Sequence, residues 1–211
     1  MRKLVVGMFV TLDGVMQAPG GPDEDREGGF SHGGWLVPYL DDPFVASMDA
    51  WTQQAGVLLL GRKTYEMFAS SWPNSSNPEE KLNIVPKFVA SRTLDRVNWN
   101  NSTLLQGEIG EEVAKLKAQD GGEIQVHGSG NLVQTLLAQD LVDELRIWQF
   151  PVVLGTGKRL FGVGALPGNY RLVDTQFNTK GAVLHVYERL GKLKYGEFEV
   201  GQDAVVFEPE A

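Results

Sequence analysis

The chain has 211 residues, no cysteine and a formal charge of −8, from 19 Lys and Arg against 27 Asp and Glu. The absence of cysteine excludes disulfide scaffolds, thiol catalysis and thiolate-bound metal centres. The negative charge disfavours nucleic acid and anionic lipid as partners, since both require a basic surface. A hydrophobic fraction of 42% is sufficient for a packed core, and we expect one domain over residues 1–211.

The chain begins with two basic residues and a short apolar run, Leu4–Val10. This is superficially the composition of a signal peptide. However, Thr11-Leu12-Asp13-Gly14 interrupts the run, and no small-residue cleavage site follows. The run is better interpreted as a buried first strand. Because no other segment approaches about eighteen uncharged apolar residues, we expect no membrane span and a cytoplasmic protein.

Short apolar runs alternate along the chain with segments of helical periodicity. The runs predict strands at Leu4–Val10, Val57–Leu60, Lys87–Ala90, Ile124–Val126 and Leu145–Val153. Apolar residues recur at helical spacing in Pro43–Ala55, Glu108–Gln119 and Ser129–Gln139. This alternation predicts βαβ crossovers. We therefore expect an α/β fold with a mostly parallel central sheet and helices on both faces.

The last third of the chain has a different pattern. Two predicted strands, Tyr170–Phe177 and Ala182–Leu190, are joined by the short segment Asn178-Thr179-Lys180-Gly181. A short loop that ends in glycine is typical of a hairpin, so we expect an antiparallel hairpin at the C-terminal side of the sheet. The tail Lys194–Val206 is predicted to add one more hairpin.

One long irregular segment, Gln17–Pro38, follows the first strand directly. It contains six glycines and an acidic cluster at Asp23, Glu24, Asp25 and Glu27. Loops of about 20 residues inside a compact domain are uncommon and often cover a binding site. We interpret this segment as a covering loop.

The first candidate ligand motif lies after the predicted strand Val57–Leu60. Gly61-Arg62-Lys63-Thr64 places a glycine, two cations and a hydroxyl at the start of a helix. Backbone N–H groups at a helix N-terminus, with such side chains beside them, can bind phosphate. The alternative is an ordinary strand-to-helix turn with a solvated Arg62.

The second motif, after Ile124–Val126, is Gly128-Ser129-Gly130-Asn131-Leu132. Glycines permit positive φ angles and allow a phosphate to approach the backbone closely. The alternative is a tight connection between a strand and a helix, although one glycine would suffice for that.

The third motif is Ser91-Arg92, directly after the strand Lys87–Ala90. An arginine and a serine suit a ribose 2′-phosphate, because guanidinium groups bind phosphate in a planar fork. Taken alone, an arginine at a strand end is common. The three motifs together place phosphate-binding groups at the carboxyl ends of parallel strands, where open α/β sheets bind ligands.

The histidines give no indication of a metal site. His32, His127 and His185 are far apart in the sequence, and none has HExxH spacing. We therefore expect no bound zinc.

The ordered set of motifs resembles the dihydrofolate reductase-like fold, and specifically the reductase domain of bifunctional riboflavin-biosynthesis deaminase-reductases and its stand-alone bacterial relatives. The similarity spans nearly the whole chain. The segments that carry it are Phe9–Gly14, Leu60–Glu66, Phe88–Leu94, Val126–Leu132, Leu141–Leu145 and Pro151–Phe161.

This resemblance implies NADPH as cofactor. By similarity, the segments with Gly61, Arg62, Thr64, Ser91 and Arg92 hold the adenosine 2′-phosphate and the diphosphate. Gly128 and Gly130, with their neighbours Ser129, Asn131 and Leu132, lie against the diphosphate, and Asp13-Gly14 closes over the nicotinamide and the substrate. The resemblance also implies a homodimer formed through the C-terminal strands.

The expected activity is hydride transfer from NADPH to a C=N or C=O carbon of a small heterocycle, resembling 5-amino-6-(5-phosphoribosylamino)uracil reductase. Asp13 is the predicted catalytic residue, as the acid nearest the reacting centre. Its alternative role is a turn, since Asp-Gly after a strand commonly forms a bend. The alternative function is a non-catalytic protein that binds a nucleotide or heterocycle and retains the fold.

Overall fold

The structure, a computed structural model, describes residues 1–74, 80–162 and 165–196. The strands within these residues form one eight-stranded sheet. They are β1 (Leu4–Thr11), β2 (Ala55–Gly61), β3 (Lys87–Ala90), β4 (Ser102–Leu104), β5 (Glu123–His127), β6 (Glu144–Phe150), β7 (Asn169–Phe177) and β8 (Val183–Gly191). Their spatial order is β4-β3-β2-β5-β1-β6-β8-β7.

The direction of the strands confirms the predicted α/β sheet. Strands β1 to β6 pair in parallel, whereas β8 is antiparallel to both β6 and β7. The β7–β8 pair is the predicted C-terminal hairpin. Its connection is fixed by Asp41, whose carboxylate accepts hydrogen bonds from the backbone N–H (2.8 Å) and the hydroxyl (2.7 Å) of Thr179.

Five α-helices accompany the sheet within the described residues. They are α1 (Asp42–Gln54), α2 (Arg62–Ser71), α3 (Lys81–Ile84), α4 (Ile109–Ala118) and α5 (Gly130–Ala138). The predicted three are confirmed within two residues at each end. None of the helices in the described part of the chain has the length and hydrophobicity that crossing a bilayer requires.

Helices cover both faces of the sheet because successive strand residues point to opposite sides. Val57 and Leu59 of β2 pack in the core cluster that includes α4 and α5. Leu58 and Leu60 pack in a second cluster on the other side, with Tyr65 of α2. A third cluster joins α1 to the aromatic residues of β6.

The structure differs from the sequence analysis at one predicted strand and at two short elements, and one further prediction cannot be compared with it. The strand predicted at Leu145–Val153 ends at Phe150, because Pro151 has no N–H to continue the ladder; Val152 instead accepts a hydrogen bond from the backbone N–H of Leu12. The sequence analysis missed β4 and α3, which have only three and four residues. The hairpin predicted at Lys194–Val206 lies almost wholly outside the described residues.

A buried ionic network joins the central strands on the side of α1. Arg146 of β6 is only 7% exposed. Its guanidinium donates to both oxygens of Glu123 on β5, at 3.0 and 2.6 Å, and to Glu144 at 2.7 Å. Its charged end also lies 5.6 Å from the ring centre of Trp51 on α1. The network therefore connects two strands and one helix.

We expect Arg146→Met to lower the free energy of unfolding by about 3–5 kcal/mol, because it leaves Glu123 and Glu144 without their buried cation. The matched control is Arg171→Met, which removes an ion pair with Glu188 at a residue whose side chain is 62% exposed and should cost less than about 1 kcal/mol. Urea denaturation of the two variants measures the difference. Equal losses would contradict a structural role for the network.

Candidate functional site

The carboxyl ends of four neighbouring strands open onto one cleft of about 750 Å³. Strands β3, β2, β5 and β1 lie side by side in that order, and ligands of open α/β sheets bind beyond such ends. All ten residues predicted to bind the cofactor line this cleft. They are Gly61, Arg62, Thr64, Ser91, Arg92, Gly128, Ser129, Gly130, Asn131 and Leu132. Its volume is within the usual range for small-molecule sites.

Two glycine turns face each other in the cleft and are held together by reciprocal hydrogen bonds. The hydroxyl of Ser129 accepts from the backbone N–H of Gly61 at 2.9 Å. In return, the hydroxyl of Thr64 accepts from the backbone N–H of Ser129 at 3.0 Å. A Cβ at Gly61 would lie 3.3 Å from the Cβ of Ser129, so the close approach favours glycine there. We call this set of contacts the turn clamp.

The turn clamp also stabilises an unusual backbone conformation. Gly128 and Ser129 both have a φ of 56°, which is the left-handed region that residues with a side chain rarely adopt. The hydroxyl of Ser129 donates to the backbone carbonyl of His127 at 3.2 Å, in addition to its bond with Gly61. The hydroxyls of Ser129 and Thr64 therefore serve the turns, although both residues line the cleft.

The turn clamp leaves the first turns of two helices uncapped. The N-cap residues of α2 and α5, Gly61 and Ser129, form no side-chain hydrogen bond to the first-turn N–H groups. The first N–H groups of a helix have no acceptor inside that helix. Together with the partial positive charge of a helix N-terminus, they form an anion-binding position. One such position follows each of the two turns that the clamp joins.

The two arginines of the cleft differ in their availability. Arg62 forms an ion pair with Glu66 one helical turn later, at 3.1 Å. Arg92 is exposed and has no ion pair or side-chain hydrogen bond with any residue that the structure describes. The hydroxyl of Ser91 accepts from the backbone N–H groups of Thr93 (3.1 Å) and Leu94 (3.0 Å) and so closes the turn that carries Arg92. Arg92 is thus the arginine that remains available for a ligand.

The covering loop is folded across the cleft and anchored at several points. The side-chain amide of Gln17 donates to the backbone carbonyls of Asp25 (3.1 Å) and Glu27 (3.0 Å), and its oxygen accepts from the backbone N–H of Lys158 (3.0 Å). Further along, Phe30 and Trp35 are buried in the aromatic core cluster. The first half of the loop lines the cleft, and the second half fixes the loop to the domain.

The covering loop brings Glu24 to the cleft, a residue that the sequence analysis did not distinguish from its acidic neighbours. Its carboxylate accepts hydrogen bonds from the backbone N–H groups of Gly20 (2.6 Å) and Gly21 (3.2 Å). Burial raises the pKa of Glu24, and the nearby charge of Asp25 adds to this effect. The sequence does contain one signal for this role of Glu24, the pair Gly20-Gly21, because the N–H groups of glycines can approach a carboxylate closely.

Asp13 does not lie among the residues that line the cleft. Its carboxylate accepts hydrogen bonds from the hydroxyl of Thr11 (2.6 Å) and the backbone N–H groups of Gly155 (2.9 Å) and Leu154 (3.2 Å), and it pairs with Arg159. The Thr11 hydroxyl, followed by the two N–H groups, lowers the pKa of Asp13 to about 2. These contacts anchor Asp13 to the segment after β6, and its catalytic role stays a prediction.

A metal ion has no evident place in this cleft. Across the ranges that the structure describes, no three His, Asp or Glu side chains converge in a way that could hold one.

The chain is similar to known proteins over most of its length. Residues 2–185 match the family model described as the RibD C-terminal domain. The uncharacterized protein YyaP of Bacillus subtilis (strain 168) is 30% identical over 192 residues, which cover 88% of this chain and 94% of that protein. The uncharacterized protein YwjB of the same organism is 26% identical over 184 residues, with 87% and 97% covered.

Solved structures show the same fold. A putative riboflavin biosynthesis protein from Shewanella sp. PV-4 superposes with a TM-score of 0.67 at 26% identity, covering 89% of this chain and 98% of that one. A diaminohydroxyphosphoribosylaminopyrimidine deaminase/5-amino-6-(5-phosphoribosylamino)uracil reductase from Thermotoga maritima has a TM-score of 0.59 at 14% identity. That comparison covers 89% of this chain and 56% of the longer protein.

We expect Thr64→Val to lower the free energy of unfolding by about 1 kcal/mol, because the N–H of Ser129 loses its acceptor while the side chain keeps its shape. Thr64→Ser retains the hydroxyl and should cost clearly less. Urea denaturation of both variants tests the turn clamp. A loss in Thr64→Ser as large as that in Thr64→Val would contradict it.

Proposed function

The chain belongs to the RibD C-terminal domain family, and on that premise we propose that it is an NADPH-dependent reductase of a small heterocycle. The proposed reaction is hydride transfer to a C=N or C=O carbon. The proposed substrate class is an aminopyrimidine that carries a phosphorylated sugar, the class named for the Thermotoga maritima protein. The observation that carries the proposal is the pair of uncapped helix N-termini on either side of the turn clamp.

A dinucleotide diphosphate suits this pair of helix N-termini. Its negative charges would accept hydrogen bonds from the first-turn N–H groups of α2 and α5, as anions commonly do at helix starts. The left-handed Gly128 has no side chain to hinder the approach, and Gly61 lies just across the cleft. Because the turn clamp holds both turns in position, little ordering is required when the ligand binds.

A 2′-phosphate on the adenosine ribose would explain the available arginine. Arg92 follows β3, next to the β2 end that carries the first glycine turn. A guanidinium without a partner can bind a phosphate through two parallel hydrogen bonds. We therefore assign Arg92 to the selection of NADPH over NADH.

NADPH, when bound, supplies the hydride, and the residues of this chain supply position, shielding from water and a proton. Met8, Phe9 and Met16 give the central part of the cleft an apolar lining, which excludes water from a reacting centre. We assign the proton to Glu24, because it lines the cleft and burial raises the pKa of its carboxyl despite the opposing hydrogen bonds from Gly20 and Gly21. The hydride adds to the carbon of the C=N or C=O bond, and the nitrogen or oxygen of that bond would take the proton. Solvent would then reprotonate Glu24.

The alternative of a non-catalytic binding protein depends on the same cleft. Asp13, the acid predicted from the sequence, accepts hydrogen bonds from the backbone N–H groups of Leu154 and Gly155. Turnover in this proposal therefore rests on Glu24. A protein that binds NADPH but oxidises it with no pterin or aminopyrimidine would favour the alternative.

We also propose a homodimer and a cytoplasmic location. The edge strand β7 has exposed apolar residues, among them Leu172, Val173 and the 77% exposed Phe177. An edge strand with such residues can pair with a second copy.

We expect Arg92→Ala to weaken NADPH binding by about 1–3 kcal/mol, the scale of a charge-assisted hydrogen bond, and to leave NADH binding nearly unchanged. Tryptophan fluorescence titration measures both affinities. Arg96→Ala is the matched control, an exposed arginine four residues away that does not line the cleft. Equal losses for the two cofactors would refute the assignment of the 2′-phosphate.

We expect Glu24→Gln to lower kcat by roughly 10²–10⁴-fold, the usual contribution of a general acid. In the unmodified enzyme kcat should fall as pH rises through the raised pKa of Glu24, because the acid must be protonated to act, and the variant should lose this dependence. NADPH oxidation with 5-amino-6-(5-phosphoribosylamino)uracil gives the readout. Asp23→Asn, in the same loop but outside the cleft, should keep the original pH profile.

A further inference from the structure

Two lysines in the cleft contact the same two carboxylates of the covering loop. Lys63, in the first turn of α2, lies 2.5 Å from Glu27 and 3.6 Å from Asp25. Lys158, in the segment after β6, lies 2.5 Å from each of them. All four side chains line the cleft. We call this set the ion-pair square.

The ion-pair square joins three segments that are distant in the sequence: the covering loop, α2 and the segment around Lys158. Its two positive charges are balanced by two negative charges. Hydrogen bonds from Lys158 and Lys63 lower the pKa of Glu27 to about 2. Burial pushes the pKa of Asp25 upward, but the hydrogen bond from Lys158, the backbone N–H of Glu27 and the charges of the two lysines together more than offset it. Both carboxylates are therefore anions at neutral pH.

Carboxylates in this position resemble a bound anion rather than an interior ion pair. The side chain of Glu27 is 60% exposed and that of Lys63 is 55% exposed, and exposed ion pairs of this kind add little to stability. Lys158 and Asp25 are 36% and 22% exposed. A ligand can therefore replace Glu27 at small cost and Asp25 at a larger one. A phosphate monoester carries about 1.5 to 2 negative charges at neutral pH, which is close to the combined charge of Asp25 and Glu27.

We propose that Lys63 and Lys158 form a phosphate-binding subsite, which Asp25 and Glu27 occupy as internal anions until a phosphorylated ligand displaces them. The identity of that ligand rests on the proposed function, since both the cofactor and the proposed substrate carry phosphate. Lysine binds phosphate as a point charge, so the exchange requires no special geometry. Displacement frees the two carboxylates, and residues 20–29 then lose their ionic attachment to α2.

Inorganic pyrophosphate is the probe for the subsite, measured by titration calorimetry. Asp25→Asn/Glu27→Gln should bind it about tenfold or more tightly, because the competing anions are gone, and Lys63→Gln/Lys158→Gln should bind it about tenfold or more weakly. Asp23→Asn is the matched control, since it removes one charge from the same loop without touching either lysine. An unchanged affinity in Asp25→Asn/Glu27→Gln would overturn the proposal.

Trypsin cleavage after the exposed Arg26 measures the attachment of the loop without any ligand. Lys63→Gln/Lys158→Gln should be cleaved faster than the unmodified protein, since the sequence at the cleavage site is the same but the ionic contacts are lost. Pyrophosphate should accelerate cleavage of the unmodified protein beyond sodium chloride of equal ionic strength, with a reference peptide correcting for the protease itself. Equal cleavage rates in the two proteins would also overturn the proposal.

Two ligands identify the source of the phosphate. If saturating NADPH abolishes the pyrophosphate effect, the subsite takes a phosphate of the cofactor. If ribose 5-phosphate still accelerates cleavage with NADPH bound, the subsite takes the phosphate of the substrate. Failure of NADPH to bind would refute the proposed function and leave the pyrophosphate result standing, so the two failures are distinguishable.

Discussion

The candidate site depends on the hydrogen bonds that hold the ends of β2 and β5 together. The strands are neighbours in the sheet, but strand pairing alone does not fix the turns that follow. The hydroxyl of Ser129 and that of Thr64 each accept an N–H from the opposite turn. Because these two hydroxyls accept only from the N–H groups of the N-cap residues Gly61 and Ser129, the first-turn N–H groups of α2 and α5 have no side-chain cap.

The cleft carries both positive and negative groups, which a net charge of −8 does not reveal. Arg92 and two helix N-termini attract phosphate, while Glu66 neutralises Arg62. The covering loop adds acidic groups to the same cleft, and of those that line it only Glu24 lacks a cation in the described part of the chain. An acidic protein can therefore bind an anion where fixed N–H groups and one available arginine outweigh the average charge.

Periodicity and turn chemistry sufficed to predict seven of the eight strands of the described residues, the hairpin among them, and the motifs that line the cleft, because the pattern of each is local in sequence. The three residues of β4 are too few to show such a pattern. The roles of individual hydroxyls were not predictable. Ser129 and Thr64 are 65 residues apart, and no local pattern indicates that they bind each other's turns. Asp13 and Glu24 illustrate the same limit. Each carboxylate accepts two backbone N–H groups, but the Thr11 hydroxyl lowers the pKa of Asp13 whereas burial raises the pKa of Glu24. The N–H donors of Asp13 come from residues more than 140 positions away, and the burial of Glu24 follows only from the folded loop.

The covering loop has separate parts for anchoring and for contact. Phe30 and Trp35 belong to the aromatic core, and Gln17 fixes the start of the loop, whereas Glu24, Asp25 and Glu27 between them line the cleft. These three acidic residues belong to none of the core clusters and take no part in the turn clamp. Under the proposed function, substitutions at these three positions would change which ligands the cleft accepts without disturbing the packing that holds the loop in place.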